Sequence, residues 1–146
     1  VVIAHGGDID KFVGDELMAR FSGEDHARRA TIAAVEMVEA VAQLNANRGR
    51  VDDARIRIGI GINSGEMILG AMGSEQRMDF TVIGDAVNLG ARLCSVAAPG
   101  EVITSQVSRE LAGELPTLAF TTREAVQVKG KCDPIEIFEV TRRQSS

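Results

Sequence analysis

Three places in this chain carry side chains that could grip a charged ligand. The first is Lys11-Phe12-Val13-Gly14-Asp15, with an ammonium group four residues before a carboxylate. The second is Asn88 and Arg92, an amide and a guanidinium at i, i+4. The third is Lys129-Gly130-Lys131. Carboxylate oxygens suit hard cations, and guanidinium or ammonium groups suit anionic oxygens. Taken singly, each place also fits a solvated turn or an ordinary exposed helix face.

The elements that must hold these residues are legible in outline. Gly14-Asp15 stands between two apolar runs, the signal of a tight hairpin with one carboxylate at its tip. Lys11 and Asp15 share a strand face unless the turn intervenes. Residues 1–5, ending in His5 before Gly6-Gly7, read as the end of a helix stopped by a left-handed glycine. Ser22 with Asp25 has the spacing of a capping box. Ala27, Ala30, Ala34, Met37, Val38, Val41 and Leu44 then form a helical stripe suited to packing on a sheet. Residues 45–53 read as a polar loop.

Residues 55–62 alternate strictly. Ile56, Ile58, Ile60 and Ile62 share one face, and Gly59 and Gly61 lie on the other. Glycine inside a strand marks close approach by another backbone, a helix or a ligand. Asn63-Ser64-Gly65 is expected to turn this strand back as a hairpin over 58–70, followed by a loop over 71–78. A short strand, 79–85, leads into a helix over 86–95, with Asp85 as its cap. Val87, Ala91 and Cys94 share one side of that helix, and Asn88 and Arg92 another. Beyond it come a strand at 101–103, a short helix over 105–111 capped by Thr104, a β-like run over 118–128, the Lys129 turn and a final strand over 134–140.

Length and composition fit one domain over 1–146 with a single core. Net charge is −5, which argues against an electrostatic grip on nucleic acid or anionic membrane. With neither Trp nor Tyr, stacking platforms for single-stranded nucleic acid are largely missing. Cys94 and Cys132 have no zinc spacing and read as reduced thiols of a cytoplasmic protein. His5 and His26 stand too far apart in sequence to argue a ligand pair. No run is apolar and long enough to span a membrane, and no signal peptide is visible.

Taken together, the three places resemble the class III adenylate/guanylate cyclases, in order and over about residues 6–140. Gly6-Gly7, Asp10-Lys11-Phe12-Val13-Gly14-Asp15 and Leu17-Met18-Ala19 are similar to that family's hairpin. The stretch 58–70 is similar to its Ile-Gly-Ile-Asn-Thr-Gly-Glu segment. Val82-Ile83-Gly84-Asp85-Ala86-Val87-Asn88-Leu89-Gly90-Ala91-Arg92 resembles its second signature, and Val128-Lys129-Gly130-Lys131 before Pro134 its last turn. A diguanylate cyclase hairpin is similar to Val13-Gly14-Asp15-Glu16-Leu17 alone, and nothing further along the chain supports it.

The resemblance implies an α+β, ferredoxin-like antiparallel sheet with helices packed on one face, and a head-to-tail homodimer with sites at the interface. It implies conversion of ATP to 3′,5′-cyclic AMP and pyrophosphate, with two Mg²⁺ or Mn²⁺ ions as cofactors. Asp15 would bind metal. Lys11 and Thr81 would read adenine. Asn88 would orient the ribose, Arg92 would hold charge developing on the α-phosphate, and Lys129 with Lys131 would neutralise the β- and γ-phosphates. Many family members have Asp where Thr81 stands. The family's other metal-binding Asp lies on a first strand upstream of residue 1. The chain therefore reads as truncated at its N-terminus, and this stretch alone is expected to be inactive. An upstream sensor or regulatory domain, with or without a membrane tether, is expected in the parent protein. The alternative is a catalytically silent regulatory domain, against which the retention of Lys11, Asp15, Asn88, Arg92 and Lys129 argues.

Overall fold

The hairpin expected around Gly14 forms. In a computed structural model describing residues 1–13, 15–47, 56–74, 77–127 and 134–143, β1 (Asp8–Val13) pairs antiparallel with β2 (Glu16–Arg20). Val13 stands opposite Glu16, so the connection is the two residues 14–15. A bulge falls between Ile9 and Lys11. The bulged residue, Asp10, has a side chain only 2% exposed, and Arg20 donates to it at 3.4 Å. Residues 3–5 form one 3-10 turn that ends at Gly6 with φ 79°, the left-handed stop read from the sequence.

The first long helix, α1 (His26–Asn47), starts three residues later than a Ser22 cap would place it. Asp25 has φ 56°, which no helical residue adopts, so the capping box is not made. Arg29 organises this entry instead. Its guanidinium donates to the carbonyls of Ser22, Glu24, His5 and Gly6, and it lies over the Phe21 ring. His5 Nε2 meets Glu36 Oε2 of α1 at 2.5 Å. The N-terminal turn, the end of β2 and α1 are thereby tied at one point.

A four-stranded sheet forms the middle of the domain, in the order β3 (Ile60–Ile62), β6 (Val102–Ser105), β8 (Ile135–Arg142), β7 (Leu118–Val126). β3 runs parallel to β6, and the other pairs are antiparallel. Among the described residues of the expected strand over 55–62, the last three are paired. The expected hairpin over 58–70 does not form. β4 (Ile68–Ser74) pairs instead with β5 (Arg77–Ile83), so the stretch read as a loop is a second hairpin. The reason lies at 63–65. Asn63 and Ser64 are hydrogen-bonded to neighbouring helices, which carries the chain away from β3. β4 then finds its partner in the next strand.

Two helices follow, α2 (Asp85–Val96) and α3 (Gln106–Ala112). Asp85 is the first residue of α2 rather than its cap, and Gly84 holds the cap position. α3 is capped by Ser105, whose Oγ accepts from the Ser108 amide at 3.2 Å. The expected cap, Thr104, is a fully buried strand residue.

Adjacent residues on a strand point to opposite faces, and β6 shows where the helices lie. Val102 belongs to a core with Ala27, Ala34 and Val35 of α1, Ala112 of α3, Ile62 and Val140. Ile103 belongs to a second core with Leu93 of α2, Val126 and Ile137. Helices therefore cover both faces of the sheet, α1 and α3 on one and α2 on the other. The expectation of helices on one face is corrected in that respect. β3 explains the division. Ile60 and Ile62 face α1. At Gly61 an added Cβ would lie 2.7 Å from the Gly90 carbonyl oxygen and closer still to the Cys94 amide. The glycine face of this strand is the seat of α2.

One surface tie has a pH consequence. Arg142 of β8 makes a two-pronged ion pair with Glu39 of α1, at 3.0 and 2.7 Å. Hydrogen bonding from Arg142 holds the Glu39 carboxyl below its ordinary range. The Ala98 amide, with Arg123 behind it, does the same for Glu101. Both groups bind a proton less readily folded than unfolded, so their stabilisation is present above the ordinary glutamate range, roughly pH 4.3. It is lost as pH falls through the depressed folded values. The Glu39 pair is half exposed, so its share is at most about 1 kcal/mol. An Arg142→Gln variant should therefore lose less stability than the parent between neutral pH and pH 3 in urea titrations. Parallel losses in both chains would contradict this.

Candidate active site

Five of the seven residues expected at the site can be placed in the fold. Asp15 sits exposed in the β1–β2 turn. Lys11 lies on β1 opposite Met18, and Thr81 on β5 opposite Gly70; both are described through their backbone only. β1 approaches β5, so Lys11 and Thr81 lie on neighbouring elements. Asn88 and Arg92 are exposed, one turn apart on α2. Lys129 and Lys131 lie outside the described residues, as does Cys132.

Arg92 opens onto a cleft of about 340 Å³ between α2 and β7, lined also by Val96, Arg123, Glu124, Val126 and Ile137. The two arginines there differ in kind. Arg123 is held by Glu101 and Glu139, the latter at 2.8 Å. Arg92 has no carboxylate partner among the described residues, only a 3.4 Å bond to Ser95 Oγ. Its charge is available for an anion, whereas that of Arg123 is already matched. The cleft extends to Gln127, two residues before Lys129 in the sequence.

The other chemistry near α2 is quiet. Cys94 is a free, half-buried thiol. Burial pushes its pKa up and the Glu16 carboxylate adds to that, so it is a poor nucleophile.

No group of three His, Cys, Asp or Glu side chains that could hold a metal occurs among the described residues. Asp15 nonetheless fits a hard divalent ion as a single ligand. It is an exposed carboxylate at a turn, and Mg²⁺ is commonly held by one or two carboxylates plus substrate phosphates. Asp10 is less suited, being buried against Arg20.

Sequence reasoning passed over one polar cluster beside the site. Asn63, Ser64, Ser105 and Ser108 form a connected set of hydrogen bonds, with Ser105 and Ser108 fully buried. The signal was present as Asn63-Ser64 after an alternating strand, but it reads there as a simple turn.

An α+β domain with an exposed Asn/Arg pair on the helix behind a glycine-faced strand, and a carboxylate at a hairpin tip, fits the nucleotide cyclase catalytic domain that the sequence resembles. Residues 9–141 match the model of the adenylate and guanylate cyclase catalytic domain. The chain belongs to that family. It is 36% identical over 147 residues to an adenylate cyclase of Anabaena cylindrica, an alignment covering 92% of this chain and 28% of that protein. Among solved structures, the guanylyl cyclase Cya2 superposes with a TM-score of 0.83 at 35% identity, over 98% of this chain and 74% of that one. The adenylyl cyclase CyaB from P. aeruginosa gives 0.79 at 31% identity, over 98% and 76%.

Proposed function

We propose that this domain is part of an enzyme that converts ATP to 3′,5′-cyclic AMP and pyrophosphate, at a site built between two copies of the domain. The observation that carries the reading is Arg92. It is an exposed guanidinium without a carboxylate partner among the described residues, one turn from Asn88 and beside a cleft.

In this reading the Asp15 carboxylate is one ligand of two divalent ions, Mg²⁺ or Mn²⁺, which when bound activate the ribose 3′-hydroxyl and polarise the α-phosphate. Arg92 donates to the α-phosphate oxygens, where charge grows during attack. Asn88 fixes the ribose by hydrogen bonding. Lys129 and Lys131 match the charge of the β- and γ-phosphates. Lys11 donates to adenine N1, and the Thr81 hydroxyl accepts from the adenine amino group.

A second copy as partner is supported by exposed apolar pairs on both hairpins. Phe12, 73% exposed, stands opposite exposed Leu17, and Ile68, also 73% exposed, opposite exposed Ile83. Such side chains on a water-facing surface suit burial against a like surface. No helix among the described residues is long and apolar enough to cross a membrane.

The test is binding of a fluorescent ATP analogue with Mn²⁺, comparing the parent chain with Asp15→Ala and Arg92→Ala. Each variant removes a charge-assisted contact worth about 1.5–3 kcal/mol, so each should bind at least about tenfold more weakly. Equal binding by all three would instead support a silent domain.

A further inference from the structure

We infer that Asn63 is a positioning residue, the clamp that sets α2 on the sheet and so places Asn88 and Arg92. The inference rests on the reading of those two side chains given above, and concerns what holds them there.

Asn63 follows the last residue of β3 and is half buried. Its Nδ2 donates to the Ala86 carbonyl in the first turn of α2, at 2.9 Å. Its Oδ1 accepts from Ser105 Oγ at 2.7 Å. Ser105 is the cap of α3, and Ser64 and Ser108 join through their hydroxyls at 2.7 Å. The amide orientation is forced, because a carbonyl can only accept and so requires the NH₂ side. One side chain thus joins the end of a strand to the starts of two helices lying on opposite faces of the sheet.

The approach is close enough for the clamp to act on α2 as a body. An added Cβ at Gly65 would come 2.9 Å from the Ala86 Cβ, and the Gly61 face below admits no side chain. α2 can settle against β3 by packing, but packing alone leaves sliding along the strand weakly opposed. A directional bond at Ala86, two residues before Asn88, opposes that sliding. A shift of about 1 Å in a reacting group costs roughly a hundredfold in a positioned site.

Asn63→Asp separates the two bonds, because it keeps an oxygen for the Ser105 hydroxyl and loses the donor to Ala86. Hydrogen exchange at the Val87 and Asn88 amides should then quicken about tenfold. Exchange at Ser108 and in the middle of α1 should stay within about twofold of the parent chain. Mn²⁺-dependent binding of the ATP analogue should weaken about tenfold. In a chain already carrying Asn88→Ala and Arg92→Ala, adding Asn63→Asp should weaken it no further, since α2 then has nothing left to position. Should Asn63→Asp not fold, Asn63→Ala removes the same donor without adding charge, and faster exchange in both α2 and the α3 cap is expected. Unchanged exchange in α2, or a further loss of affinity in the doubly substituted chain, overturns the proposal. If the parent chain binds no nucleotide, the functional reading of the site fails, and the exchange measurements alone decide whether Asn63 holds α2.

Discussion

Gly61→Ala is expected to lower the melting temperature by roughly 5–10 °C, and Gly61→Val to prevent stable folding. Gly61 lies against α2 so closely that a methyl group there would meet the Gly90 carbonyl oxygen and the Leu93 carbonyl carbon, each at 2.7 Å. These are backbone atoms of a helix and cannot rotate away. Overpacking a core with flexible side chains costs about 1–3 kcal/mol, and a backbone clash belongs at or above the top of that range. In a domain of this length 1 kcal/mol moves the midpoint by about 2–4 °C. Gly90→Ala supplies the contrast. It lies on α2 itself, an added Cβ there meets, among the described residues, just the Asn63 Cβ at 3.8 Å, and alanine is favoured over glycine in a helix by about 1 kcal/mol. That variant should hold or raise the midpoint. Thermal unfolding of the two chains side by side is the measurement, and equal midpoints would mean that β3 is not the seat of α2.

Lys11→Glu is expected to shift the preference between ATP and GTP toward GTP by about a hundredfold. A lysine donates a hydrogen bond and suits the N1 acceptor of adenine. Guanine carries a proton at N1, which a glutamate accepts. Mispairing leaves polar groups without partners in both protein and base, which is why such sites can discriminate by up to about 10⁴. The Thr81 hydroxyl both donates and accepts, so it resists the change less than a carboxylate would. A strong shift is therefore expected from Lys11→Glu alone. Overall likeness does not decide the base, because one similar structure is a guanylyl cyclase at 35% identity and another an adenylyl cyclase at 31%. Competition of ATP and GTP against a fluorescent nucleotide with Mn²⁺ gives the ratio directly. An unchanged ratio would remove Lys11 from base recognition.

The elements that carry the candidate site were legible because each rests on a local rule. The tight β1–β2 connection follows from Gly-Asp between apolar runs, and the long α1 from a periodic alanine stripe. The two-faced character of β3 also showed, with isoleucines on one side and glycines on the other. Its consequence, a helix pressed on the glycines, was one of three options that the residues left open. Sequence reasoning failed where the competition was between partners of equal local merit. The stretch after β3 could have turned back on β3 or gone on to pair with the next strand. The choice was made by Asn63 and Ser64, whose bonds go to residues 23 and 44 positions away. The Ser22 cap failed for a like reason: Arg29 gathers the carbonyls of four residues around this entry, where Asp25 stands in the left-handed region.

Residue types and their order along the chain were enough to determine the family and to nominate Lys11, Asp15, Thr81, Asn88, Arg92, Lys129 and Lys131. Only the tertiary structure decided that helices cover both faces of the sheet, that α2 stands on Gly61, and that Arg123 is matched by two carboxylates while Arg92 has none among the described residues. The physical reason is one of range. Turn propensity and hydrophobic period act within a few residues, whereas the pairing of a charge and the seating of a helix depend on groups brought together from distant parts of the chain.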